Sequence, residues 1–296
     1  MRSSYFLKRL YIFPFSILLL AGCTSNPFSK SDEIAKSPRT VSGTVKLSDD
    51  SSPAGVFVWL ENFDLSTTTN EQGHFDLNLP APESQPGGGV TGIFNLYFYV
   101  VNYAFQTAKV AVRNGEFIYS QGDIGSDGNL LSTVELAKLV NIETRVSPEI
   151  FAANFSGSFR VEFRVSALST PVVVKGYMDK NRSLTGIILR KPGHGKGIVK
   201  IYNPFGSVLD SETIYGAVKT YSTDYQFAPC SLPEGFYEII PFLWVEQTGL
   251  PSELLSNFPT SSRIDSEDYL LLPVIRDVDQ LEIEATSGYN YPEGCN

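Results

Sequence analysis

The chain has 296 residues, 23 basic and 32 acidic, for a net charge of −9, and 42% of its residues are apolar. That apolar content excludes a broadly disordered chain, and the length suits two domains of ordinary size. The acidic balance argues against nucleic acid as a partner, which needs lysine and arginine to offset phosphate, and against peripheral adhesion to anionic lipid.

Residues 1–22 read as a processing segment. Arg2, Lys8 and Arg9 form a cationic head, and Leu10–Leu20 is an apolar run interrupted by Pro14. A run of about eleven residues suits a signal peptide and falls short of the roughly 20 that span a bilayer. Small residues Ala21 and Gly22 then precede Cys23. Leu20-Ala21-Gly22-Cys23 resembles the lipobox of bacterial lipoproteins. The resemblance implies cleavage between Gly22 and Cys23, diacylation of the Cys23 sulfur and acylation of the new amine, with palmitate-type chains. Each buried methylene contributes about 0.8 kcal/mol, so two or three chains anchor a protein permanently. Removing the segment takes the net charge from −9 to −12, because it carries three cations and no acid. Thr24, not Asp, follows the cysteine, which in Gram-negative members of the family implies the outer membrane. The expected location is the cell envelope, lipid-anchored and facing the periplasm or the cell surface. The alternatives are a plain secretory signal and an uncleaved membrane helix.

With Cys23 lipidated, Cys230 and Cys295 remain. Outside the cytoplasm two such thiols are expected to pair as a disulfide, the alternatives being two free thiols or, less in keeping with the lack of nearby histidines, a metal site. Closing a loop of about 65 residues constrains the unfolded chain by roughly 4 kcal/mol. Residues 23–40 comprise the lipidated cysteine and a polar tether with Pro27 and Pro38.

From Val41 onward, short alternating runs are separated by turn residues. Val41–Leu47 and Val56–Leu60 read as strands, Thr67-Thr68-Thr69 begins another, and Asn70-Glu71-Gln72-Gly73 is a turn. His74–Pro80 places Phe75, Leu77 and Leu79 on one face. Gly43, Pro53, Gly55, Val56, Thr69, Gly73, Phe75, Leu77, Leu79 and Pro80 match the pattern of the carboxypeptidase regulatory-like domain. The stretch resembles that family, which implies a transthyretin-like β-sandwich over residues 41–146 and transfers no catalytic residue. Asn102-Tyr103 stands where the family has Gly-Tyr, Val134–Val140 is the expected closing strand, and Ala81–Gly92 reads as a solvated insertion loop.

Residues 147–296 keep the β style without a family signature. Phe159–Val165 alternates cleanly, Val172-Val173-Val174, Leu184–Leu189 and Gly197–Tyr202 follow, and Asn203–Gly206 is a turn. Gly235–Trp244 is the most apolar strand of this half, Pro251–Asn257 suggests a helical turn, and Leu281–Glu284 a last strand. The expected fold class is all-β, two tandem β-sandwiches of transthyretin-like or Ig-like type with a boundary near Ser147-Pro148.

Catalytic signatures are sparse. His74 and His194 are the chain's two histidines, so a zinc site of two histidines and a glutamate has little to draw on. Pro192–Gly197 lacks the spacing of a phosphate-binding loop, and no Gly-x-Ser-x-Gly elbow occurs. Asp123, Asp127 and Asn129 fit positions of a calcium loop, but Gly125 and Val134 fill two others; this is a weak ion candidate beside a plain turn. Asn95–Tyr99 and Tyr289-Asn290-Tyr291 are aromatic stretches readable as core, as surface or as sugar-stacking platforms. No cofactor is implied. The expected role is non-catalytic: an anchored binding, adhesion or structural module with a protein or glycan partner at the envelope. The alternatives are a glycan- or peptide-binding surface component and a hydrolase built on two carboxylates.

Overall fold

The computed structural model describes residues 38–63, 65–152, 157–191, 199–202, 206–226, 235–256 and 279–284. Gly22, Cys23, His194, Cys230, Cys295 and the Tyr289–Tyr291 stretch lie outside the described residues.

The first half holds β1 (Thr40–Leu47), β2 (Phe57–Leu60), β3 (Leu65–Thr68), β4 (His74–Asn78), β5 (Gly92–Tyr99), β6 (Gln106–Arg113), β7 (Glu116–Gly122) and β8 (Val134–Leu136). They form two sheets, in the orders β4-β1-β8 and β3-β2-β5-β6-β7. All pairings are antiparallel except β1 with β8, where Leu47 lies opposite Leu136. Period-two alternation sends Val41, Val45, Phe75, Leu77, Leu96, Phe98 and Val110 into one core between the sheets. The closing strand is shorter than the apolar run suggests. Ala137, Lys138 and Leu139 bond elsewhere, and Val140 opens the next strand.

The second half holds β9 (Val140–Ser147), β10 (Ile150–Ala152), β11 (Ser158–Ala167), β12 (Val172–Met178), β13 (Ile187–Arg190), β14 (Val199–Tyr202), β15 (Val208–Ile214), β16 (Lys219–Gln226), β17 (Gly235–Pro241), β18 (Leu243–Glu246), the short helix α1 (Ser252–Ser256) and β19 (Asp279–Glu284). The sheet orders are β16-β11-β9, β15-β12-β18 and β10-β19-β17-β13-β14. Phe159, Val161, Phe163 and Val165 of β11 pack with Val174, Ile187, Leu189, Tyr237 and Ile239 into a second core. Because β9 pairs with β11 along its whole length and contributes Val140, Ile142 and Val146 to this core, and Leu139 packs against it, the chain crosses between cores between Leu136 and Leu139. That crossing lies upstream of Ser147-Pro148, a cis peptide at the end of β9. The expected single strand Gly235–Trp244 is two, β17 and β18, divided at Phe242, whose N–H donates to the Gly186 carbonyl at 2.9 Å.

The two cores are joined without a slack linker. Lys138 bridges Tyr103, the Ala104 N–H donates to Ala137 O at 2.8 Å, and the Leu139 N–H donates to Asn102 O at 2.9 Å. On the other side, the Leu168 N–H donates to Leu139 O at 3.0 Å. A third apolar cluster lies between the halves. Trp59 of β2 and Tyr97, Tyr99 and Val101 on and just beyond β5 face Ile188, Ile240, Phe242 and Leu254. Phe57, Phe105, Tyr177, Trp244 and Leu250 surround them, half-buried. The strands involved are apolar on both faces: Leu96 and Phe98 enter the first core while Tyr97 and Tyr99 enter this seam, and Ile239 and Ile240 divide likewise. Two-sided burial is the physical reason their sequences run apolar without alternation.

Candidate functional site

Gly73, Asn70 and Thr69 hold turns of the first sandwich. Gly73 has φ +78°, and a Cβ there would lie 2.0 Å from the Val45 carbonyl oxygen, so the turn into β4 requires glycine. Asn70 completes that turn: its Oδ1 accepts from the N–H groups of Gln72 at 3.0 Å and His74 at 2.9 Å. The buried Thr69 hydroxyl donates to Pro53 O and accepts from the Val56 N–H at 2.9 Å, fastening the turn before β2. Asn102 adopts φ +70°, a conformation that asparagine tolerates better than other non-glycine residues.

The insertion at 81–92 is more tightly held than its composition suggests. It contains two short 3₁₀ turns, Pro82–Ser84 and Pro86–Gly88, with Gln85 buried between them. The Gln85 Nε2 donates at 2.8 Å to both Pro80 O and Gly115 O. A single glutamine carries no sequence signal for such a role.

Asp123, Asp127 and Asn129 come together in a tight turn, stitched by the Ile124–Leu130 bridge. Asp123 Oδ2 accepts from the Lys109 N–H at 2.6 Å. Asp127 accepts from the Asn129 N–H at 3.0 Å and from its side-chain amide at 2.7 Å. These hydrogen bonds account for the Asp and Asn residues as turn-formers. Among the described residues no three His, Cys, Asp or Glu side chains converge as metal ligands.

His74, Asp76 and Ser42 also meet, in an order unsuited to nucleophile activation. The buried Ser42 hydroxyl donates to Asp76 Oδ1, and His74 Nε2 lies 3.6 Å from Asp76 Oδ2. The carboxylate thus sits between serine and histidine, whereas a serine nucleophile needs the imidazole beside its hydroxyl.

The most integrated polar cluster surrounds Asp49, just after β1. Its Oδ2 accepts from the Tyr103 hydroxyl at 2.9 Å and pairs with Lys138 Nζ at 3.1 Å, while its Oδ1 accepts from the Ser51 hydroxyl at 2.6 Å. Burial raises the carboxyl pKa, but the Ser51, Tyr103 and Lys138 hydrogen bonds outweigh it and hold Asp49 at about 2. This cluster ties the end of β1 to the linker.

The aromatic stretch Asn95–Tyr99 is divided between core and seam, and burial raises the Tyr99 hydroxyl to about 12. In the seam, Trp59 and Tyr97 have centroids 5.6 Å apart, Tyr177 stacks on Phe242 at 5.4 Å, and Phe242 meets Trp244 edge-on at 5.6 Å. The buried Trp59 indole N–H makes no hydrogen bond. Gln247 spans the halves: its Nε2 donates to Tyr103 O at 2.8 Å and its Oε1 accepts from the Phe105 N–H at 3.0 Å.

Elsewhere, Tyr215, Val218 and Val208 are exposed. On β15, the outermost strand of its three-stranded sheet, Arg182 lies along the edge. It donates to Asp210 Oδ2 at 3.2 Å and to Ser211 O at 2.9 Å. No helix among the described residues is long and apolar enough to cross a membrane.

No protein-family model matches the chain, and no curated protein matches it. Among solved structures, the sporulation control protein Spo0M of Bacillus subtilis matches at 12% identity and a TM-score of 0.25, over 38% of this chain and 45% of that one. The major pilin subunit BcpA of Bacillus cereus matches at 12% identity and a TM-score of 0.25, over 70% of this chain and 66% of that one. The chain therefore spans less than two thirds of either, and likeness of this degree carries no activity across.

Proposed function

We propose that this protein is a non-catalytic envelope lipoprotein, anchored through Cys23 and presenting two β-sandwiches as a binding, adhesion or structural module at the outer membrane. The observation that carries the reading is Leu20-Ala21-Gly22-Cys23 after a short apolar run, followed by a strongly acidic β-rich body that cannot adhere to anionic lipid by charge. The first sandwich serves as a carboxypeptidase regulatory-like platform, a reading supported by the roles of Thr69, Gly73, Phe75 and Leu77 in its turns and core. A Cys230–Cys295 disulfide belongs to the same reading, since export removes the protein from a reducing compartment.

The anchor is tested by partitioning wild type and Cys23→Ser in a phase-separating detergent, with mass spectrometry of the mature N-terminus. The expected result is an acylated Cys23 in the detergent phase and an aqueous Cys23→Ser variant. An unmodified sulfur with residues 1–22 retained would overturn the reading. Crosslinking on intact cells then identifies the protein or glycan that the module contacts.

A further inference from the structure

The outer face of β5 presents Tyr97 and Tyr99, with Val101 beyond them and Trp59 of β2 alongside. Three such rings amount to roughly 500 Å² of apolar surface, a patch of the size that soluble monomers seldom leave open. The second half covers it with Ile188, Ile240, Phe242 and Leu254. The hydrophobic part of this packing tolerates sliding, because it is non-directional.

Beside the backbone bonds of the linker, one side chain adds direction across the seam. The Gln247 carboxamide behaves as an added peptide unit, giving a donor to Tyr103 O and an acceptor to the Phe105 N–H. Its two bonds define a position and an orientation of β18 relative to the segment after β5. The Trp59 indole N–H, also inside the seam, makes no hydrogen bond and contributes no such constraint.

We propose that the seam is a conformational latch, closed by Gln247, through which the two sandwiches open and unfold as one body. The inference is independent of the anchor and of any partner. It goes beyond the shape of the fold, since a chain with two separate cores has no inherent reason to lose them together.

The protein carries its own reporter. Its two tryptophans, Trp59 and Trp244, both lie in the seam, whereas the β-sheet signal comes from both sandwiches. Urea titration of the full chain, followed in parallel by tryptophan emission and far-UV circular dichroism, separates seam opening from loss of the cores. In wild type the two transitions coincide. In Gln247→Ala the tryptophan transition moves ahead of the dichroism transition by about 0.5 M urea or more. Gln247→Glu, which retains an acceptor but sets a charge against the Tyr103 carbonyl, also separates them. Ile93→Ser, at an exposed site outside the seam, leaves them together. Two transitions already apart in wild type, coincident transitions in Gln247→Ala, or a split in Ile93→Ser would each overturn the proposal.

Discussion

The two sandwiches reach similar cores by different local means. In the first, side chains and glycines fasten the turns: Asn70 and Gly73 before β4, Thr69 before β2, Gln85 in the insertion, and Asn114-Gly115 with positive φ between β6 and β7. In the second, charges decorate the strands. Arg160 faces Asp224 and Arg164 faces Glu143 directly across the ladders that flank β11. Turn chemistry selects register through geometry that few residues satisfy, whereas exposed ion pairs add little energy and are replaceable. The first half therefore shows its turns in the sequence, and the second chiefly its periodicity.

That contrast is open to direct attack. The largest effects are expected in the cores, where it vanishes. Phe98→Ala and Phe163→Ala each remove a fully buried ring and should cost about 3–5 kcal/mol, read from urea midpoints. Gly73→Ala comes next. With φ +78° and the Val45 oxygen in the way, strain should cost at least about 1–3 kcal/mol, whereas Gly206→Ala, with φ +87° but open space around it, should cost less. Thr69→Val keeps the shape and deletes both hydroxyl bonds, for about 1–2 kcal/mol in thermal or urea denaturation.

Acid sharpens the comparison further. Folded Asp49 stays ionised to about pH 2, while the unfolded chain takes up its proton near pH 3.9. Asp49 therefore contributes stability above that unfolded value, and the contribution drains away as pH falls through the window towards 2. Melting temperatures of wild type and Asp49→Asn should differ most near neutrality and converge at the acid end; a constant difference would contradict the assignment. The smallest effect is expected for the Arg164–Glu143 pair, where a double-mutant cycle should give about 0.2–1 kcal/mol, shrinking in salt.

Much of the fold was legible in advance because one-sided strands announce themselves. Phe159, Val161, Phe163 and Val165 alternate with charges and are all buried. Gly73, Phe75 and Leu77 could be placed from turn chemistry and period alone. The seam was not legible, for a physical reason. Strands buried on both faces lose their alternation, so Asn95–Tyr99 and Gly235–Trp244 looked merely apolar. The shortening of β8 was hidden too, because Ala137–Val140 is as apolar as a strand but its backbone bonds to Asn102, Ala104 and Leu168. Gln85 and Gln247 act through backbone groups far away in sequence, and an isolated glutamine leaves no pattern from which to infer that.

Arg182 has a consequence for how copies of this chain meet one another. An open sheet margin invites neighbouring chains to add strands. A guanidinium that already occupies the Ser211 carbonyl and neutralises Asp210 leaves an incoming strand without that acceptor. Such a plug would let many copies stand side by side as individuals instead of zipping into fibres.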